Sequence, residues 1–164
     1  MSNESSNEKW EDSAITTVRN LSNEGNLIAS LHLCSALVEH YCRTRLFIFL
    51  TPIRFAEIIK VQDKETQKMK NASVLCKIHE IIFPTNNHVK FSHASIIDIG
   101  LLVGAWNYEL WKELKRFNKD RNHCVHKAEY ILKILKKDDE EKVKKIIEQG
   151  IALLHNIKSG YVNS

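Results

Sequence analysis

The sequence predicts an all-α protein, a single-domain helical bundle of five to seven helices, and three observations carry that expectation. Apolar residues recur at spacings of three and four along most of the chain. No stretch alternates apolar and polar residues as a half-buried strand would. Only five glycines and two prolines occur in 164 residues, too few for the tight turns of a sandwich or barrel. That length suits one domain with its own core. An apolar share of 43% and a charged share of 27% are ordinary for a globular chain.

Residues 1–12, rich in Ser, Asn and Glu and without periodicity, read as a disordered polar tail ahead of a helical domain over 13–160. A first helix is expected from about Asp12 to Asn23, with Ala14, Val18 and Leu21 on one face and Gly25 interrupting it. A longer helix follows on Leu27, Leu31, Cys34, Val38, Tyr41 and Cys42, and should end before Pro52, because proline disfavours helix in the residue ahead of it. Residues 54–83 read as one or two helices, apolar at Phe55, Ile58 and Ile59, polar through QDKETQKMKN, and apolar again at Leu75, Ile78 and Ile82. Pro84 and TNNHVKFSH make a loop.

From Ser95 the residues Ile96, Ile97, Ile99, Leu101, Leu102 and Val103 leave hardly any polar face, which predicts a buried central helix. It continues as WNYELWKELKRF, amphipathic through Leu110, Trp111, Leu114 and Phe117. The trio Trp106, Tyr108 and Trp111 falls in this segment and reads as core or dimer interface. A fresh helix is expected near Asp120, whose carboxylate suits an N-cap. The last starts near Asp138 or Asp139, carries Val143, Ile146, Ile147, Ile151, Leu154 and Ile157 on one face, and stops at Gly160.

The 24 Lys and Arg against 20 Asp and Glu give +4, a balance that permits a polyanionic partner without demanding one. Cys34, Cys42, Cys76 and Cys124 are widely spaced, with no C-x-x-C pair, so reduced thiols in a cytoplasmic protein are expected. No signal peptide is read at the polar N-terminus. The longest apolar stretch, around Ile96 to Trp106, contains Asp98 and is shorter than the roughly 20 residues of a membrane span. No membrane association is expected.

The run DRNHCVHK, residues 120–127, concentrates chemistry, and three readings compete. His123, Cys124 and His126 are ligands that zinc or copper prefers, but a structural zinc needs four, and no second tight pair stands elsewhere. Neither a metal nor a cofactor is therefore expected. The run also reads as a plain polar helix start, although Arg121 in a first turn opposes the helix dipole at a cost of a few tenths of a kcal/mol. A local rule broken without visible compensation is where function tends to sit.

The third reading is a resemblance. Arg121, Asn122 and His126 form R-N-x-x-x-H, which resembles the R-x4-6-H signature of the HEPN superfamily, including its polar residue after the arginine. FSHASIIDIGLLVGAWNYELWKELKRFNKDRNHCVH resembles the apolar helix, connection and arginine-first helix of that superfamily. The stretch Leu101 to Leu114 is similar to its mannitol-repressor-like branch, and SALVEHYCRTRL resembles its early helix with an acidic residue, here Glu39. The resemblance covers roughly residues 25–158, and only the short motif is diagnostic.

It implies a HEPN-like homodimer acting on RNA as a metal-independent endoribonuclease that leaves a 2′,3′-cyclic phosphate, in a toxin–antitoxin, defence or stress setting, with an antitoxin or regulatory protein as a further partner. The alternative it implies is a non-catalytic module that binds RNA or protein. His126 would be the general acid or base, and Arg121 would hold the phosphate with its planar fork. Asn122 would orient a phosphate oxygen or hold Arg121, and Glu39 would pin Arg121 by a charge-assisted pair. His123, an extra basic group beside the motif, is either the partner acid or merely an exposed residue. Asn122 and His126 share a helix face at four residues apart. Arg121 and His126 are five apart, about 7.5 Å along the axis and about 140° around it, which a second copy across a two-fold axis would help to bridge. Ala128 stands where the toxin branch has a tyrosine, and the nearest is Tyr130, which puts control through that tyrosine in doubt. Lys112, Lys115, Arg116, Lys119, Lys127, Lys133, Lys136 and Lys137 flank the motif and suit phosphate contacts, diluted by Glu109, Glu113 and Glu129.

Overall fold

The computed structural model describes residues 4–58, 82, 91–126 and 139–159, with side chains over 12–51, 82, 91–126 and 139–157. Five α-helices and no strand occur among them: α1 (Glu4–Asn23), α2 (Leu27–Ile58), α3 (His93–Leu102), α4 (Tyr108–His126) and α5 (Glu140–Ser159). The protein is an all-α helical bundle. No helix among the described residues is long and apolar enough to cross a membrane.

The first helix begins at Glu4 rather than near Asp12, so it takes in most of the stretch expected as a tail. Ile15 and Val18 are its buried face. The chain reverses at Gly25, which takes a positive φ of 80° that other residues resist, and Asn26 N–H closes the turn onto Leu21 O at 2.8 Å. The Ser30 hydroxyl then donates to Val18 O at 2.8 Å, tying the start of α2 to α1.

Helix α2 is the centre, packed against all four other helices. Its expected face (Leu27, Leu31, Cys34, Val38, Tyr41, Cys42) is buried, joined by Leu37 and Leu46. It does not end before Pro52 but runs on to Ile58. A proline inside a helix forfeits one backbone hydrogen bond, about 3 kcal/mol of local cost. A 32-residue helix whose side chains are buried from Leu27 to Leu46 offsets that cost. Of the helices expected over 54–83, only 54–58 and Ile82 fall among the described residues.

Two expectations about the middle of the chain are corrected. The apolar segment from Ser95 is not the central element, since Leu102 is 84% exposed and only Ile96 and Ile97 of its large side chains are fully buried. It does not continue into α4 either. Gly104, with φ 81°, turns the chain, and Asn107 Oδ1 accepts the Leu110 N–H at 2.9 Å to cap a new helix. At its own start α3 is capped by Ser92, which accepts from Ser95 N–H at 3.1 Å. Trp106 folds back into the core and donates its indole N–H to Ile97 O at 3.0 Å.

The second correction bears on the motif. No helix starts near Asp120: α4 is continuous from Tyr108 to His126. Leu114, Phe117 and Cys124 form one buried stripe across that point, and interrupting the helix would expose it. Asp120 faces Arg116 one turn back, at 3.8 Å.

Helix α5 carries the expected face, with Val143, Ile146, Ile147, Ile151, Leu154 and Ile157 all buried. Three helices meet at Gly150, where a Cβ would strike Cys34 Sγ of α2 and lie 2.7 Å from the Phe117 ring of α4. The Cys34 thiol donates to Ile147 O at 3.6 Å. Cys34, Cys42 and Cys124 are free and buried, while Cys76 lies outside the described residues.

Candidate functional site

Each residue of an α-helix rotates 100° about the axis, so the buried stripe of α4 determines where each motif residue points. Leu114, Phe117 and Cys124 are buried, and Arg121 falls on the same line at spacings of four and three. Arg121 is thus rooted on the inner side of α4. Its Nε is buried and has no hydrogen-bond partner among the described residues. Its Nη1 donates to Asn122 Oδ1 at 2.7 Å, which bends the guanidinium around the helix towards Asn122. His126 is exposed, one turn beyond Asn122 on the same face.

Around the inner end of Arg121 lies a polar cluster built by three helices. His93, the first residue of α3, is 8% exposed, and its Nε2 is buried and unpartnered. A side-chain hydrogen bond joins His93 to Asn118 of α4. Burial pushes the His93 imidazole down to about 4; the Glu39 charge opposes this, and the Arg121 and Arg43 charges reinforce it. His93 is therefore a neutral imidazole at ordinary pH, sharing its surroundings with one carboxylate and two guanidinium groups.

Glu39 does not hold Arg121. Its Oε1 accepts from Arg43 Nε at 3.0 Å and Nη2 at 2.6 Å, an i,i+4 pair within α2. The nearer cation wins because both groups stand one turn apart on one helix. Arg43 also donates to Ile82 O at 2.6 Å and Phe91 O at 2.8 Å, so a single guanidinium clips two chain segments onto α2. The pattern E-x-x-x-R in SALVEHYCRTRL carried this pair, and the i,i+4 rule could have found it. No sequence signal marked His93, which stood in an expected loop.

His123 and His126 are exposed while Cys124 is buried, so the three do not converge on one point. Among the described residues no group of three or more His, Cys, Asp or Glu side chains stands close enough to hold a metal ion. Burial pushes the Cys124 thiol above its ordinary value, away from the thiolate form that a metal needs.

The aromatic trio divides. Trp106 is core, Trp111 is half-buried with its N–H on Asp98 Oδ1 at 2.9 Å, and Tyr108 is 58% exposed, stacked on Trp111 with centroids 5.2 Å apart. Asp98 also accepts from Lys115 Nζ at 3.0 Å. The Trp111 hydrogen bond is the first cause of its lowered pKa. No protein family, no curated protein and no solved structure matches the chain.

Proposed function

We propose that this chain is a metal-independent endoribonuclease of HEPN type, working on RNA as a homodimer in the cytoplasm. The observation that supports it most is the Arg121–Asn122 hydrogen bond, which carries a cation rooted on the inner face of α4 towards the exposed face of His126. The His126 imidazole takes the proton of a ribose 2′-OH, and that oxygen attacks the adjacent phosphorus. Arg121 steadies the charge growing on the phosphoryl oxygens. The bond to the 5′-oxygen breaks, and a second imidazole, His123 or the His126 of another copy, returns a proton to it. The products are a 2′,3′-cyclic phosphate and a 5′-hydroxyl. Toxin, defence or stress roles, with an antitoxin or regulatory protein as partner, follow from the same resemblance.

A second reading has its own observation. The Arg121 Nε is buried beside His93 and the Glu39–Arg43 pair, which suits a cation that braces the bundle. On that reading the domain binds RNA or a protein without turnover. The two are separated by RNA cleavage in EDTA with wild type, His126→Ala and Arg121→Ala, each checked for folding by circular dichroism. Loss of a general acid or base costs roughly 10²–10⁴ in rate, so both variants should fall by at least about 100-fold. Equal inertness of all three on varied RNAs, with binding retained, would favour the second reading.

A further inference from the structure

We infer that the outward face of α4 is a track for the backbone of single-stranded RNA, ending at His126. This rests on the reading that the protein acts on RNA and adds where the strand lies. Lys112, Arg116, Lys119, His123 and His126 follow one another at spacings of four, three, four and three, and all five are exposed. At 1.5 Å per residue, the row is about 21 Å long.

The acids of α4 keep to one edge, bordered by Arg116, which pairs with Asp120 one turn on at 3.8 Å and lines the same groove. At 100° per residue Glu109, Glu113 and Asp120 share one edge, where Glu113 and Asp120 face Lys142 and Lys145 of α5 across a groove. None of the three acids falls on the outward arc from Asn122 round to Arg116. A merely solvated helix intersperses acids and bases at i,i+4, where each pair supports the helix. Arg116 and Asp120 are such a pair, whereas Lys112 and Lys119 make no ion pair among the described residues.

A line of lysine and arginine side chains leading to two imidazole donors fits a linear polyanion whose charges repeat along one direction. An anionic membrane fits less well. A helix that lies in a bilayer surface needs a free apolar face, and that of α4 is consumed by the core through Leu114, Phe117 and Cys124. An acidic protein partner would want a desolvated anchor among the charges, and the row contains none. Tyr108 stands exposed at the far end, braced by its stack on Trp111. Its ring offers a platform to an unpaired base, which a duplex could not present.

The test is fluorescence anisotropy of labelled U20 RNA against full-length wild type, a Lys112→Ala/Lys119→Ala double variant and an Arg19→Ala control on exposed α1. Each single-strand phosphate contact contributes about 0.7 to the salt slope, so the double variant should bind about tenfold more weakly with a slope about 1.4 shallower. Arg19→Ala should match wild type. Tyr108→Ala should weaken binding without changing the slope. Equal affinity and slope in wild type and the double variant would overturn the track. So would no RNA binding together with binding to phosphatidylserine vesicles. A protein that binds U20 through Lys112 and Lys119 yet never cuts RNA keeps the track and loses the nuclease reading.

Discussion

Lowering the pH should destabilise this bundle through His93, and the size of the effect follows from where that imidazole sits. Burial holds it at about 4, against an ordinary value of 6.5. Between those values the unfolded chain binds a proton at this residue that the folded chain does not, so stability rises with pH across the window. The contribution of the neutral imidazole is complete above about 6.5 and is lost as the pH falls towards 4. A difference of this size corresponds to about 3 kcal/mol, with a slope of at most about 1.4 kcal/mol per pH unit. His93→Gln removes the titration and keeps a polar group able to bond to Asn118. Urea midpoints for wild type and His93→Gln, measured from pH 7 down to 4.5, should therefore converge as wild type loses its advantage. Parallel curves across that window would refute the reasoning, since every other titrating group is common to both proteins.

Three further outcomes follow from the packing. Gly150→Ala places a methyl group against Cys34 and the Phe117 ring and should cost at least about 1–3 kcal/mol by thermal or urea unfolding; an unchanged midpoint would mean that α2, α4 and α5 do not meet there. Arg43→Ala strands Glu39 and two backbone carbonyls and should cost about 2–4 kcal/mol, with Arg43→Lys recovering only part because an ammonium cannot fork between them. Burial, aided by the charges of Glu148 and Glu39 respectively, lifts the Cys34 and Cys42 thiols to about 12, so neither should react with iodoacetamide at pH 8 until the chain is unfolded. Rapid labelling of either in the folded protein would contradict their placement.

Periodicity made the faces of α2 and α5 readable, because six residues of each recur at helical spacing and every one is buried. It failed where apolar character ran on across a turn. Ile96 to Trp106 look like one buried helix, and the break depends on a left-handed Gly104 and an Asn107 cap, whose effect is conformational rather than hydrophobic. Asp120 misled for a related reason: the same carboxylate can cap a new helix or face a cation one turn back, and only the stripe through Leu114, Phe117 and Cys124 decides between them. The site divides in the same way. Arg121, Asn122, His126 and Glu39 were visible as residues, and the grip of Asn122 on Arg121 was one of two roles weighed for it. The partner of Glu39 is local, Arg43 one turn on along the same helix. His93 joined the cluster only because α3 packs its N-terminus beside α2 and α4, a tertiary fact without a sequence signature.

The most direct test of RNA cleavage by this motif is the chemical identity of the 3′ ends that purified protein releases from RNA in EDTA, read by mass spectrometry. The expected result is 2′,3′-cyclic phosphate on fragments formed by wild type and absent with His126→Ala. Fragments ending in 3′-hydroxyl, or cyclic ends released equally by His126→Ala, would contradict attack by a 2′-hydroxyl at this site.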